Sequence, residues 1–232
     1  LLDGKLRYAQ PKHGYRTGIE PVLLAASVPA RAGDLVLEAG TGAGAGLMCL
    51  AARVAGVSCI GIEQDPAMAE LAVYNLTANA ISGARIVTAD IVAWLADTVF
   101  DHAFANPPWH AASGTPSPVA GRAGAKRAAP GLLAAWVGAL AATLRQRGTL
   151  SLILPAASLA EAVAALTAAA CGETIVQPLW PRQGVAAKLI VLRAVRGGRG
   201  ACALLPGLVL HEDDGAYTDA AQAVLRGGSK LF

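Results

Sequence analysis

The sequence predicts an α/β protein: a Rossmann-like, mostly parallel, seven-stranded mixed sheet with a terminal antiparallel hairpin and helices on both faces. Three observations carry that expectation. Short apolar runs alternate with stretches of helical period along most of the chain, the pattern of strands joined by crossover helices. A glycine-rich turn follows the first such run. The chain has 232 residues, of which 54% are hydrophobic and 15% charged, enough apolar material for one large core and too little charge for a disordered chain.

The elements follow in order. Residues 1–20 are mixed in character and carry Lys5, Arg7, Lys12 and Arg16. The expectation is one domain over 1–232, with residues 1–30 as an N-terminal arm or lid. Residues 34–38 (DLVLE) read as a short buried strand, and residues 44–54 as the helix after the turn. Residues 57–63 (VSCIGIE) read as a second strand. Asp65 can cap the next helix, with Pro66 at its first position, where a missing N–H costs nothing. Residues 85–88 and 100–105 are the third and fourth strands. Residues 113–129, rich in Gly, Ala, Pro and Ser, read as a flexible loop. A helix with Leu133, Trp136, Val137, Leu140 and Leu144 on one face comes next. Residues 150–154 form a fifth strand, and Leu159, Val163 and Leu166 stripe another helix. Residues 173–180 and 187–195 close the sheet as a hairpin, which makes it mixed.

Bulk properties exclude several classes. A formal net charge of +3 permits an anionic partner without requiring one. The four cysteines, Cys49, Cys59, Cys171 and Cys202, form no CxxC pair, so neither a zinc site nor a redox motif is expected. Cys49 and Cys59 sit in apolar stretches and read as small core residues. The uncharged, mainly apolar stretch of residues 128–144 contains Pro130 and Gly131, and it is shorter than the roughly 20 apolar residues of a membrane span. Lys5 and Arg7 precede no apolar run, so no leader is expected. The expectation is a cytoplasmic protein, monomer or homodimer, without metal or membrane partner.

The turn reads Glu38-Ala-Gly40-Thr41-Gly42-Ala-Gly44. Glycine lets the backbone reverse sharply and approach a ligand, and ligands in such sheets bind at the carboxyl ends of the strands. Gly40, Gly42 and Ala45 also satisfy the loose dinucleotide pattern, and Glu63 ends the next strand at the spacing of a ribose-binding acid. These two features do not separate NAD from S-adenosylmethionine (SAM). Glu38 favours SAM: a carboxylate ahead of the turn opposes a pyrophosphate and suits a ligand with an ammonium and a sulfonium, by about 1–4 kcal/mol at ~4 Å. Asp90, in Ala89-Asp90-Ile91, could accept a hydrogen bond from a cofactor's adenine amino group, or could simply cap a helix.

The fourth strand ends in Asn106-Pro107-Pro108-Trp109. The prolines make the turn rigid. The Asn106 side-chain carbonyl and the Pro107 backbone carbonyl can accept both hydrogens of an exocyclic amine, and Trp109 offers a face for a base, an interaction of about 1–3 kcal/mol. An aromatic or amide NH₂ is a poor nucleophile because its lone pair is delocalised. Acceptors on both hydrogens favour a more tetrahedral nitrogen and keep the lone pair aimed at the methyl group, so orientation and charge stabilisation supply the rate. The alternative is a tight turn with a core tryptophan.

Taken together, these motifs resemble the class I SAM-dependent methyltransferases. The resemblance implies that the glycine turn holds the methionine part of SAM, that Glu63 binds the ribose hydroxyls and that Asp90 contacts the adenine. The Asn-Pro-Pro-aromatic tetrad marks the amino methyltransferases of that group. The segment Gly14-Tyr-Arg-Thr-Gly-Ile-Glu-Pro-Val-Leu-Leu-Ala25 and the stretch Leu208-Val-Leu-His-Glu-Asp-Asp-Gly-Ala-Tyr-Thr218 are similar to the terminal signatures of the bacterial valine-tRNA adenine N6-methyltransferases. That closer likeness implies methylation of the adenosine beside the anticodon. It also implies a cofactor set of Tyr15, Arg16, Thr17, Gly18, Glu38, Gly40, Thr41, Gly42, Gly44, Glu63, Gln64, Ala89, Asp90, Ile91 and Asn106. The sequence departs from the family at Glu38 and Glu20, where aspartate is usual, and at Trp109, where tyrosine or phenylalanine is commoner.

Further candidates for substrate contact are His110, beside the tetrad, and Arg122, Lys126 and Arg127, which could meet phosphates or be ordinary loop charges. Arg193, Arg196 and Arg199 form a small basic cluster, a weak RNA signal. His211 reads as structural. The rival activities are a protein glutamine N5-methyltransferase, a guanine N2 rRNA methyltransferase, an NAD-dependent oxidoreductase and a non-catalytic RNA-binding protein.

Overall fold

The apolar runs become strands buried between two helical layers. The computed structural model of the protein describes residues 1–12, 17–108 and 130–232. Strand β1 (Leu35–Ala39) is central and buried along nearly its whole length, pairing in parallel with β2 (Ser58–Glu63) on one side and β4 (Phe100–Ala105) on the other. Strand β3 (Ala84–Thr88) extends the sheet beyond β2, and β5 (Leu144–Pro155) beyond β4, both parallel. β7 (Leu189–Arg196) then inserts antiparallel between β5 and β6 (Cys171–Trp180). The order β3-β2-β1-β4-β5-β7-β6 is the expected mixed sheet with its closing hairpin.

Among the described residues the strand count is nine, two more than the seven expected. β8 (Ala203–Leu204) and β9 (Leu208–Val209) both pair with β6. Each is two residues long, too short to carry a period in the sequence, and Pro206 and Gly207 separate them. The boundary between α4 and β5 also moves. β5 begins at Leu144, directly after α4 (Leu132–Thr143), so Leu144 belongs to the strand and not to the helix stripe. The polar run Arg145-Gln-Arg-Gly148 hides that strand start, and the β4–β5 register shifts there. Helices α1 (Glu20–Ser27) and α6 (Asp219–Leu225) were not anticipated. α1 buries six of its eight residues and so has no polar face to betray it.

Helices α1, α2 (Ala45–Arg53), α3 (Pro66–Ala78) and α6 cover one face of the sheet, where Leu23, Leu47, Leu50, Leu76, Phe104 and Ile153 pack together. Helices α4 and α5 (Leu159–Ala168) cover the other, around Leu37, Ile62, Phe100, Trp136, Leu140 and Leu152. Asp65 caps α3 as expected, accepting hydrogen bonds from the N–H groups of Ala67 (2.9 Å) and Met68 (3.4 Å), with Pro66 at the first position. Burial pushes the thiols of Cys49 and Cys59 up to about 12, which makes both inert core residues. No described helix is long and apolar enough to cross a membrane.

Candidate cofactor and acceptor site

The glycine turn sits at the carboxyl end of β1. Gly40, Gly42 and Gly44 have φ of +66°, +55° and +87°, values that side chains rarely tolerate, and this is what lets the chain reverse into α2. The turn's N–H groups point inward. Those of Gly40 and Thr41 donate to the Ile62 carbonyl (2.8 and 3.1 Å), that of Gly42 to Glu63 Oε2 (2.8 Å), and that of Gly44 to the Thr41 carbonyl (2.8 Å). A dinucleotide pyrophosphate needs such donors free. With these four donors engaged the turn is a poor pyrophosphate cradle, which weighs against the NAD reading that glycine spacing left open.

Glu38 differs from expectation. Its carboxyl is buried behind the turn rather than displayed to a ligand. Oε2 accepts hydrogen bonds from the Thr41 hydroxyl and from the Leu47 N–H (3.0 Å), tying the turn to the first turn of α2. Burial, reinforced by the nearby Glu63 charge, pushes its pKa from 4.5 up to about 8, against the two hydrogen bonds, which lower it. In the ligand-free protein Glu38 is therefore mostly a neutral acid at pH 7, and the simple Coulomb argument for a standing negative charge gives way to one in which a cationic ligand draws the proton off. Gly46 makes room for this carboxyl, since a Cβ there would overlap Oε1.

Glu63 closes β2 with both oxygens engaged, Oε2 by Gly42 and Oε1 by the Asp65 N–H (2.9 Å). This bracing orients the carboxylate at the carboxyl edge while each oxygen keeps a lone pair for a diol. Gln64 beside it is exposed. After β3, the Ala89 N–H bonds to the Glu63 carbonyl (2.9 Å), Asp90 is exposed, and Ile91 is buried beneath it. Asp90 Oδ1 accepts from the Val92 N–H (3.0 Å); the residues that follow form a turn and not a helix, so Asp90 braces a turn and is not the helix cap that the sequence allowed.

On the acceptor side, β4 runs next to β1 and delivers Asn106, Pro107 and Pro108 to the same edge. Pro107 is buried, and its neighbours are half-buried. Trp109, His110, Arg122, Lys126 and Arg127 lie outside the described residues, as do Tyr15 and Arg16. Thr17 and Gly18 are described. The Thr17 hydroxyl pairs with the Tyr8 hydroxyl (2.7 Å), and the Thr17 N–H donates to Gln10 Oε1 (3.2 Å), so the arm folds back on itself. Gly18 is exposed and lies tight against the Glu20 carboxylate.

Sequence reasoning missed Asn75 and Asn79. Asn75, fully buried on α3, donates to the carbonyls of Ala43 (2.9 Å) and Ala9 (2.8 Å) and accepts from the Ala9 N–H (2.8 Å). One turn further, Asn79 makes the same two-way pair with Arg7 (2.8 and 2.7 Å). Two asparagines thus act as a strand partner for residues 7–9 and fix the arm beside the glycine turn. The available signal was an asparagine within an otherwise apolar helical stretch. The arginine cluster is a correction in place. Arg196 pairs with Cys171 at the far end of β7, its guanidinium donates to the Ala169 carbonyl, and Arg193 bonds the Ser27 carbonyl (3.3 Å) and stacks on Phe232. Arg193 and Arg196 are tied into the fold; Arg196 lies at the end of β7 opposite to the glycine turn, and Arg193 is level with Glu38 through Ser151 and Phe104. His211 is structural as expected, stacked on Tyr217 (4.6 Å) and bonded to the Gly215 carbonyl (3.1 Å).

Comparisons with known proteins agree with this geometry. The family model of the methyltransferase small domain matches residues 20–132, which include the turn, both acids and the tetrad. A structure described as a predicted O-methyltransferase from Agrobacterium tumefaciens is 26% identical, with 91% of this chain covering 97% of that one at a TM-score of 0.76. A SAM-dependent O-methyltransferase from Thermotoga maritima (18% identity, 82% and 69% covered, TM-score 0.60) and a methyltransferase from Pyrococcus furiosus (19%, 84% and 91%, 0.60) share the fold. No curated protein sequence matches. Fold, turn and comparisons define the class: this is a SAM-dependent methyltransferase of the Rossmann-like type, and its cofactor is S-adenosylmethionine. The inward-turned N–H groups, the acids at the ends of β2 and β3 and the proton-holding Glu38 fit a cationic, phosphate-free ligand.

Proposed function

We propose that the protein methylates the exocyclic N6 amino group of an adenine in RNA, most specifically the adenosine beside the anticodon of a tRNA. The observation that carries this reading is that Asn106, Pro107 and Pro108 follow β4 directly, one strand from the glycine turn on β1, with Trp109 next in sequence. SAM supplies an activated methyl group on a sulfonium. The protein's own part is orientation. The Asn106 side-chain carbonyl and the Pro107 backbone carbonyl accept the two amine hydrogens, the rigid Pro-Pro backbone holds both acceptors in place, and Trp109 stacks on the base. The new N–C bond forms as the sulfonium S–C bond breaks, and the nitrogen then loses one proton to solvent. On the cofactor side, Glu63 takes the ribose hydroxyls and Asp90 the adenine amino group. Thr41, Gln64, Ala89 and Ile91 line that pocket. Within the arm, Tyr15, Arg16, Thr17 and Gly18 serve as the lid, because residues 7–9 are held to α3 and α1 is already core. His110, Arg122, Lys126 and Arg127 would meet the RNA; residues 106–131 contain these three cations and no acid.

The names of two similar structures suggest a second reading, an oxygen acceptor. A hydroxyl acceptor must surrender its proton as it attacks and so needs a base. The tetrad supplies carbonyl acceptors, which suit an amine. The test is incubation with methyl-labelled SAM and unmodified total tRNA, followed by digestion to nucleosides. Labelled N6-methyladenosine is the expected product. Labelled N2-methylguanosine, label that survives RNase but not protease, or label on a hydroxyl would each overturn the assignment in favour of the corresponding acceptor.

A further inference from the structure

The acceptor side of the sheet carries a second feature that the tetrad does not use. The carboxyl edge is divided by charge. The connections after β2 and β3, residues 64–65 and 89–99, carry Asp65, Asp90 and Asp97 and no lysine or arginine. Across β4, the connection after β5 (156–158) is uncharged, and the connection between β6 and β7 (181–188) carries Arg182 and Lys188 and no acid. β6 runs parallel to β5 and β7 antiparallel to it, so residues 181–188 lie at the same edge as the glycine turn. Lys188 is tied to that level, because its carbonyl accepts the Ala156 N–H (2.9 Å) directly after β5.

The sheet register gives the distance. Ala105 of β4 lies opposite Leu152 of β5, Leu152 opposite Leu192 of β7, and Pro155 opposite Leu189. Continued past Ala105, that register brings Pro108 level with Leu189. β4 and β7 are two strands apart, roughly 10 Å at the usual strand spacing. Lys188 therefore stands beside the tetrad at about the distance separating a base from the phosphates of its neighbouring nucleotides. Both side chains are exposed, and neither has an acid within ion-pair distance among the described residues. The described ion pairs Arg145–Asp101 and Arg147–Glu173, and the His102–Asp34 hydrogen bond, all lie near the opposite end of the sheet. The acids nearest this rim, Glu212, Asp213 and Asp214, follow β9 outside β6 and bound the basic stretch on its outer side. The Asp214 carboxylate is engaged by the Ala216 N–H (2.8 Å).

We propose that Arg182 and Lys188 form a phosphate-contacting edge that holds the polynucleotide chain flanking the target base. This rests on the RNA reading above and deepens it. A standing carboxylate there would repel the chain, and a rim of free cations two strands from the acceptor carbonyls positions it. Phosphate contacts place the substrate without reading its sequence, so the edge acts on affinity and not on the methyl-transfer step.

The test compares wild type with Arg182→Glu/Lys188→Glu, using the tRNA fraction that wild type methylates. The readouts are Kd for RNA at several salt concentrations, KM and kcat for RNA, and Kd for SAM. Each phosphate contact contributes about 0.7–0.9 to the slope of log K against log salt. The double variant should lower that slope by about 1.4–1.8, raise RNA Kd at least tenfold, and leave kcat at saturating RNA and SAM Kd unchanged. Arg182→Gln/Lys188→Gln should move the same way by less. Unaltered RNA Kd and salt slope in a variant that still binds SAM would overturn the proposal while leaving N6 methylation by wild type intact. A wild type that methylates no RNA would instead overturn the RNA reading, and this edge with it.

Discussion

Replacing Glu38 by glutamine tests the buried carboxyl most directly. In the folded protein its pKa lies near 8, against 4.5 ordinarily. Below pH 4.5 the group is protonated whether the chain is folded or not, and glutamic acid and glutamine then differ little. Between pH 4.5 and 8 the unfolded chain ionises while the fold retains the proton, so the stability associated with this group is lost steadily as pH rises, and the loss is complete above pH 8. At about 1.4 kcal/mol per tenfold in proton affinity, the loss is about 3 kcal/mol at pH 7 and about 5 kcal/mol above pH 8. Glutamine can accept from the Thr41 hydroxyl and the Leu47 N–H without ever ionising. E38Q should therefore melt close to wild type at pH 4.5–5 and pull ahead as pH rises, by roughly 10 °C at pH 9 for a chain of this size. The assay is a set of thermal melts of both proteins from pH 4.5 to 9 without SAM, read as the difference in Tm at each pH. Because SAM is a cation, its affinity for wild type relative to E38Q should also improve as pH approaches 8. A Tm difference that stays constant across the range would refute the reasoning, because no buried proton would then be coupled to folding.

The other predictions concern the walls of the site and the frame behind it. Gly46→Ala should cost about 1–3 kcal/mol in urea unfolding and weaken SAM binding, because its Cβ overlaps the Glu38 carboxyl and lies 3.1 Å from Phe104. Gly138→Ala, on the exposed side of α4 with nothing within 4 Å, should instead stabilise by up to about 1 kcal/mol in the same assay. Asn75→Ala should cost about 1–3 kcal/mol and speed amide exchange at Ala9, since it removes both bonds that hold that residue to α3. Burial lowers the His102 pKa below its usual 6.5 despite Asp34. Its contribution is thus present above pH 6.5 and lost as pH falls, and His102→Gln should flatten the fall in urea midpoint between pH 7 and 5. Asn106→Ala should abolish methyl transfer while calorimetry still detects SAM. Wild-type turnover in that variant would remove Asn106 from the mechanism.

Much of the fold was legible because burial imposes period on sequence. β1, β2 and β4 are continuous apolar runs since each is covered on both faces, and Asp65-Pro66 announces α3 by its capping chemistry. What stayed hidden was structure without a period. α1 is buried all round, β8 and β9 are too short, and the first residues of β5 are polar because they lie at an exposed corner next to Asp101. The site divides the same way. Residue identity placed Glu63, Asp90 and Asn106 at the carboxyl edge, since each ends a strand or follows one directly. It could not reveal that Glu38 faces inward, because a carboxylate before a glycine turn reads the same whether it meets a ligand or the backbone of α2. The arginine cluster misled for the converse reason: Arg193 and Arg196, close in sequence on β7, direct their guanidinium groups to the Ser27 and Ala169 carbonyls of the fold itself.

The glycine pattern alone does not decide between SAM and a dinucleotide, and the reason lies in hydrogen-bond accounting. A helix amino end binds phosphate only if its N–H groups are free and turned outward. Here the Ile62 carbonyl takes two of the turn's donors, Glu63 takes a third, and Glu38 takes the Leu47 N–H. The Gly42 and Leu47 donors instead orient two carboxyl groups, Glu63 at the end of β2 and Glu38 kept as a buried acid. The same glycine spacing can thus build opposite electrostatics. The deciding residues are the acids that end β2 and precede the turn, together with the direction in which each points.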